Sequence, residues 1–122
     1  MAFARLGAVA LDCPDPTALA GFYQQILGGE IEPSDTEPDW VELVGAGSAL
    51  LAFQEAPGHI PPKWPSEDGS QQFHLDLMVP DLDAGEEQVL ALGAKVLDNE
   101  DKSRTWRVYA DPAGHPFCLC VG

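Results

Sequence analysis

The stretch Gln72-Phe-His-Leu-Asp-Leu-Met-Val-Pro-Asp-Leu82 decides the fold, because most of it has a counterpart near the start of the chain. A displacement of 66 residues lays Ala8-Val-Ala-Leu-Asp-Cys-Pro-Asp15 over His74-Leu-Asp-Leu-Met-Val-Pro-Asp81. Self-similarity at a fixed spacing marks a duplicated structural unit. Each copy is an alternating strand running into a Pro-Asp pair whose Asp can cap a helix, and Pro16 suits the first helical turn. In the first helix Leu19, Phe22, Tyr23, Ile26 and Leu27 recur at three- and four-residue spacing before a Gly28-Gly29 stop. In the second, Leu82, Val89, Leu90 and Leu92 form the expected apolar stripe, Glu86 and Glu87 lie outside it, and Gly93 ends it.

Three short strands follow each helix. They are expected at about 30–33, 39–45 and 48–55, with a Gly45-Ala-Gly47 turn, and again at about 94–97, 104–110 and 115–121, with an Asp111-Pro-Ala-Gly114 turn. The reading is α+β: two βαβββ repeats in one domain over 1–122, the repeats at about 4–55 and 72–121, forming a curved mixed sheet with helices outside. Pro57, Pro61, Pro62 and Pro65 keep the segment at about 56–71 out of any sheet and make it a stiff loop or a lid.

Composition narrows the function. Hydrophobic residues at 45% and charged residues at 21% fit a soluble globular chain. Twenty acidic against six basic residues give a formal charge of -14, which repels polyphosphate backbones and attracts cationic ligands, so no nucleic-acid partner is expected. Apolar runs are broken every few residues, which argues against a membrane partner. Cys13, Cys118 and Cys120 are an odd number with an i, i+2 pair that cannot bond comfortably, and Met1-Ala-Phe-Ala-Arg5 does not open a signal peptide. Reduced thiols and a cytoplasmic location are expected.

Residues two apart on a strand share a face. In the fifth strand Phe73, Leu75, Leu77 and Val79 should pack under the helices, leaving His74, Asp76 and Met78 opposite. The repeat places Gly7, Val9, Leu11 and Cys13 on the helix side of the first strand and Ala8, Ala10 and Asp12 on the other. Aligning the two hairpins through Gly47 and Gly114 pairs Leu51 with Cys118 and Phe53 with Cys120, and these complete the expected inner face. His74 and Asp76 are the catalytic candidates, since a carboxylate can orient an imidazole or hold its charged form. Trp40, Phe53, Trp64, Trp106 and Tyr109 are candidates for stacking on a flat ligand, and Arg104 and Arg107 for pairing with a carboxylate on the ligand or nearby in the chain.

The twofold plan resembles the vicinal oxygen chelate superfamily of glyoxalases, bleomycin-resistance proteins and dioxygenases. The likeness rests on Val9-Ala-Leu-Asp-Cys-Pro-Asp-Pro16 before Phe22-Tyr23, on Gln72 to Leu82, and on Asp111-Pro-Ala-Gly-His-Pro-Phe-Cys118. It implies two repeats curled around a ligand cleft, and homodimers. Metal-using relatives place His, Glu or Gln on the first, fourth, fifth and eighth strands. Here those positions hold Ala8, Leu51 (Phe53 if the register shifts by two), His74 and Cys118. One imidazole and one thiol fall short of the three ligands a catalytic ion wants, so no metal and no cofactor are expected. A zinc site of His74, Cys118 and Cys120 is disfavoured because same-face strand cysteines close a tetrahedron poorly, and Gln54 would count only with a bulge in the fourth strand. The leading expectation is a metal-independent module that sequesters an aromatic or cationic small molecule, as in antibiotic resistance, through His74, Asp76, Phe53, Trp64, Trp106 and Cys118. The rival is a divalent-metal-dependent lyase, isomerase or dioxygenase using His74. Whether a reaction is catalysed stays open between them.

Overall fold

The computed structural model describes residues 2–3, 5–47, 50–70 and 72–122. Its chain forms two compact units, Met1–His59 and Ile60–Gly122. The first holds strand β1 (Val9–Cys13), helix α1 (Pro16–Leu27), β2 (Glu30–Pro33), β3 (Trp40–Val44) and β4 (Leu51–Glu55). The second repeats the order with β5 (Leu75–Met78), α2 (Leu82–Ala91), β6 (Lys95–Asp98), β7 (Trp106–Ala110) and β8 (Pro116–Cys120). Each helix carries the chain to the far edge of its sheet, and two antiparallel returns bring the last strand beside the first. The sheet orders are therefore β1-β4-β3-β2 and β5-β8-β7-β6, with β1 parallel to β4 and β5 parallel to β8. This is the expected α+β architecture. Positions 48 and 49 of the expected fourth strand, Ala4 of the first repeat and Gln71 of the proline-rich segment lie outside the described residues. Among the described residues no helix is long and apolar enough to cross a membrane.

Both Pro-Asp signals act as read. The Asp15 carboxylate accepts from the Ala18 N–H at 3.2 Å, and Asp81 accepts from the N–H groups of Asp83 and Ala84, each at 3.3 Å. After α1 the backbone turns through Gly28 (φ 78°) and Gly29 (φ 93°). A Cβ on Gly29 would stand 2.6 Å from the Val44 carbonyl oxygen, so no other residue fits there without displacing β3.

In the first unit, α1 lays Leu19, Ala20, Phe22 and Tyr23 on the sheet, and Tyr23 stacks on Phe53 with ring centroids 5.9 Å apart. In the second, the buried stripe of α2 is Leu82, Gly85 and Val89. A Cβ on Gly85 would meet Leu119 and Val79 at 3.3 Å, so glycine lets this helix sit close to the sheet. Leu90 and Leu92, expected in that stripe, are instead exposed at 39% and 38%. They fall off the arc that Leu82 and Val89 define, and Glu86, expected outside, is drawn in by polar partners described below. Phe73 is a second departure: β5 begins pairing only at Leu75, so Phe73 sits ahead of the ladder and is 86% exposed. Gly7 likewise precedes β1 and is exposed.

Candidate functional site

The second unit's sheet sorts its side chains by alternation. Leu75 and Leu77 of β5 turn toward α2, while Asp76 and Met78 turn away. Register places Asp76 beside Cys118 and Met78 beside Cys120, and β7 adds Trp106 beside Cys120. Asp76, Cys118, Cys120 and Trp106 are thus brought to one face by strand pairing alone. His74, one residue ahead of β5, and Trp64, from the proline-rich segment, complete a cavity of about 330 Å³ lined by these six residues.

Its walls are aromatic. The Trp64 and His74 rings stack with centroids 5.0 Å apart and planes 26° from parallel. The Arg104 guanidinium carbon lies 3.9 Å above the Trp106 ring, a cation–π contact that holds the indole from behind. Arg104 Nη2 is also paired with Asp98 Oδ1 at 3.0 Å, and among the described residues Nε and Nη2 find no hydrogen-bond partner. The loop that carries Trp64 is fixed at the neighbouring Pro61, which packs on the Asp111–Gly114 turn. Gly114 (φ 90°) has no room for a Cβ there, because it would overlap the Pro61 ring.

The polar groups centre on one carboxylate. His74 Nε2 is 3.1 Å from Asp76 Oδ1, with the two side chains 28% and 59% exposed. Burial, followed by the Asp76 charge, the neighbouring Cys120 and a hydrogen bond to Asp76, pushes the Cys118 thiol up to about 12, against a smaller opposite pull from Arg104. Cys120 is raised by burial and then by Asp76. Both sulfurs are therefore S–H groups near neutral pH, donors to the carboxylate rather than nucleophiles. The cavity offers ring faces, one anionic acceptor and two thiols.

Arg107 and Tyr109 face the opposite side of β7. Arg107 is 5% exposed; its Nη2 donates to Asp83 Oδ1 at 2.8 Å, and Nη1 lies 3.6 Å from Glu86 Oε1. The Tyr109 hydroxyl and the Asn99 amide donate to Glu86 Oε1 at 2.8 and 2.9 Å. Burial works to raise the Glu86 pKa, but the Asn99 and Tyr109 hydrogen bonds with the Arg107 and Lys102 charges outweigh it and hold the carboxyl below 4.5. The Tyr109 phenol is pushed up, by burial first and then by Glu86. These two residues clamp α2 to its sheet and take no part in the cavity.

Of the six residues expected in the site, His74, Asp76, Trp64, Trp106 and Cys118 line one cavity, and Phe53 does not. Phe53 is buried under α1 in the first unit, and Leu51 shares its side. The error is one residue of register. The displacement of 66 holds through the fourth and eighth strands too, so the counterparts of Cys118 and Cys120 are Ala52 and Gln54; alignment through the turn glycines slipped by one and flipped the face. Gln54 therefore reaches the open face, opposite Asp12 and Trp40, with no bulge. Trp40 lies on that face with its Nε1–H donating to Glu42 at 3.0 Å. Cys120, read onto the inner face but not among the six expected site residues, also lines the cavity, and the placement of Arg104 over Trp106 had only its two-residue spacing as a signal.

The divalent ion of the superfamily finds a poor donor set. Its first-strand position is Ala8, and its fourth-strand position, corrected for the slip, is Ala52. Methyl groups donate no lone pair. The nearest alternative, the Gln54 amide, matches Cys120 rather than Cys118.

The profile of the glyoxalase-like domain matches residues 8–120. A glyoxalase/bleomycin resistance protein/dioxygenase family enzyme from Burkholderia phytofirmans PsJN superposes with a TM-score of 0.73 at 20% identity, over 97% of this chain and 98% of that one. TnmS3, an antibiotic-binding protein from a Streptomyces species, superposes at 0.61 with 16% identity over 99% and 98% of the two chains. The oxidase ChaP-H2 does so at 0.67 with 17% identity over 99% and 95%. At these identities the likeness is one of fold. No curated protein is significantly similar to the chain.

Proposed function

The chain belongs to the glyoxalase-like domain family, and from that premise we propose that its second unit binds a flat aromatic small molecule with a cationic or hydrogen-bond-donating edge, without the family's metal ion. The observation that carries the reading is the cavity walled by Trp64, His74 and Trp106 with Asp76 as its carboxylate. A planar ring slides between such walls, and a donor or positive charge on its rim meets Asp76. The formal charge of -14 favours the same sign of guest. TnmS3 is an antibiotic-binding protein with this fold, and sequestration of a toxic aromatic compound is the role we infer.

The competing reading, a metal-dependent enzyme, would need donors at Ala8 and Ala52 that those residues lack. Paired chains belong to the same proposal: Phe73, Met78 and Ile60 of the second unit are apolar and exposed, surface that a second copy would cover. Sedimentation should find a dimer, and a monomer up to high concentration would remove that element.

Proflavine, a flat three-ring cation, tests the binding reading against phenazine, its neutral analogue in shape. The expected result is saturable quenching of tryptophan fluorescence by proflavine, with weaker binding of phenazine. Trp64→Ala should cut proflavine affinity by at least about tenfold, the ~1.4 kcal/mol carried by one stacked ring pair and its buried area. Absence of saturation with both compounds, together with no turnover of either on adding divalent ions, would count against binding at this cavity.

A further inference from the structure

We propose that Arg104 is a specificity-determining residue of the cavity: standing behind Trp106, it restricts the guest to a single positive charge, carried on the edge that meets Asp76. The inference rests on the binding reading above and deepens it by naming the charge of the guest.

Among the described residues that line the cavity, Asp76 is the one carboxylate, and Arg104 is not a lining residue. Two positions ahead of Trp106, Arg104 holds its guanidinium carbon 3.9 Å from the centre of that ring and its Nη2 3.0 Å from Asp98 Oδ1. The side chain is only 22% exposed, and among the described residues its Nε and Nη2 make no hydrogen bond. A guanidinium withdrawn this far from water costs free energy that hydrogen bonds do not return here. The sheet plan does not require it. The matching position in the first repeat is Pro38, and Trp40, the counterpart of Trp106, turns its indole N–H to Glu42 instead. A cation is thus set against the tryptophan only in the repeat that carries the cavity.

Two electrostatic effects follow. A cation on one face of an indole draws π density toward itself, so the opposite face becomes a weaker partner for a second cation. A ring stacked on the cavity side would lie roughly 7 Å from the guanidinium, where a charge still acts at the effective dielectric of a protein surface. The field does reach the cavity: burial and Asp76 push the Cys118 thiol up, and Arg104 pulls it the other way. Asp98 offsets part of that charge. One positive charge on the guest is compensated at Asp76; a second has Trp106 to approach, and Arg104 opposes it there. The formal charge of -14 would by itself favour a dication, so discrimination against one isolates the local effect.

Phenazine, proflavine and diquat test this, being three-ring compounds of similar outline that carry no, one and two positive charges. Tryptophan-fluorescence titrations of the wild type should give proflavine at least about tenfold tighter binding than diquat. Arg104→Gln, which keeps a planar group against the indole, should raise diquat affinity relative to proflavine by at least about tenfold. Arg104→Lys, which keeps the charge, should hold the ratio near the wild-type value, and Asp98→Asn, which removes the counter-charge, should shift it further toward proflavine. Loss of mechanical support for Trp106 would weaken all three guests by one common factor, phenazine included, and leave the ratio alone. An unchanged diquat-to-proflavine ratio in Arg104→Gln, or diquat binding the wild type as tightly as proflavine, overturns the role of Arg104 while the binding reading stands. If none of the three compounds saturates the wild type, the binding reading fails and this inference falls with it.

Discussion

Glu86 shows what one side chain can reveal about a whole face. Its charge reads from sequence as outward although it lies four residues from Leu82 and three from Val89, yet the Tyr109 hydroxyl from β7 and the Asn99 amide from the loop after β6 donate to it, and the Arg107 guanidinium stands 3.6 Å away. Sequence periodicity records apolarity and is blind to a buried polar network, which is why Glu86, Arg107 and Tyr109 were misplaced or undecided. The network has a pH signature. A carboxyl whose folded pKa is held below 4.5 adds stability that is fully present above that value and is lost as pH falls through the lower folded one. Glu86→Gln should remove that part of the acid dependence, seen as urea midpoints for variant and wild type that differ less at pH 3 than at pH 6. Tyr109→Phe should cost about 1 kcal/mol by the same measurement, one hydrogen bond to a charged acceptor being removed from a buried site.

At the scale of elements, strand and helix existence was legible because alternation and three-to-four spacing are strong signals, and the caps at Asp15 and Asp81 stand where the Pro-Asp pairs put them. Faces were harder. Period-two patterning makes every assignment conditional on register, and the single-residue slip at the Gly47 turn exchanged Ala52 and Gln54 for Leu51 and Phe53. The joint between α1 and β2 is testable by paired substitutions. Gly29→Ala forces a Cβ into the Val44 carbonyl at positive φ and should destabilise the chain by about 2 kcal/mol or more. Gly21→Ala, inside α1 where an added Cβ would meet no described atom outside its own helix within 4 Å, should stabilise it by about 0.5–1 kcal/mol. Thermal melts of the two variants should move in opposite directions, and movement in the same direction would show that α1 or its turn is placed differently.

Across the whole molecule, duplication is the dominant fact, and it has been exploited unequally. Position for position, His74, Asp76, Cys118 and Cys120 in the second repeat correspond to Ala8, Ala10, Ala52 and Gln54 in the first, while Trp106 corresponds to Trp40. Polar and sulfur chemistry is concentrated in one repeat. The cavity's polar residues were legible because they share a strand face, and Trp64 because superfamily ligand cavities draw on that segment; its stacking on His74 depends on loop conformation that no periodicity encodes. The chain's acidity adds a long-range element. Attraction of a cation by a formal charge of -14 is screened as salt shortens the Debye length to about 10 Å at 0.1 M, so proflavine affinity should fall with added salt while phenazine affinity stays level. The most direct measurement of the central claim is a tryptophan-fluorescence titration of proflavine into the wild type, Trp64→Ala and Trp106→Ala, with circular dichroism confirming that all three are folded. Saturation at one molecule per chain in the wild type, with affinity lost in both folded variants, is the predicted result; equal affinity in all three would place the guest elsewhere and contradict the account.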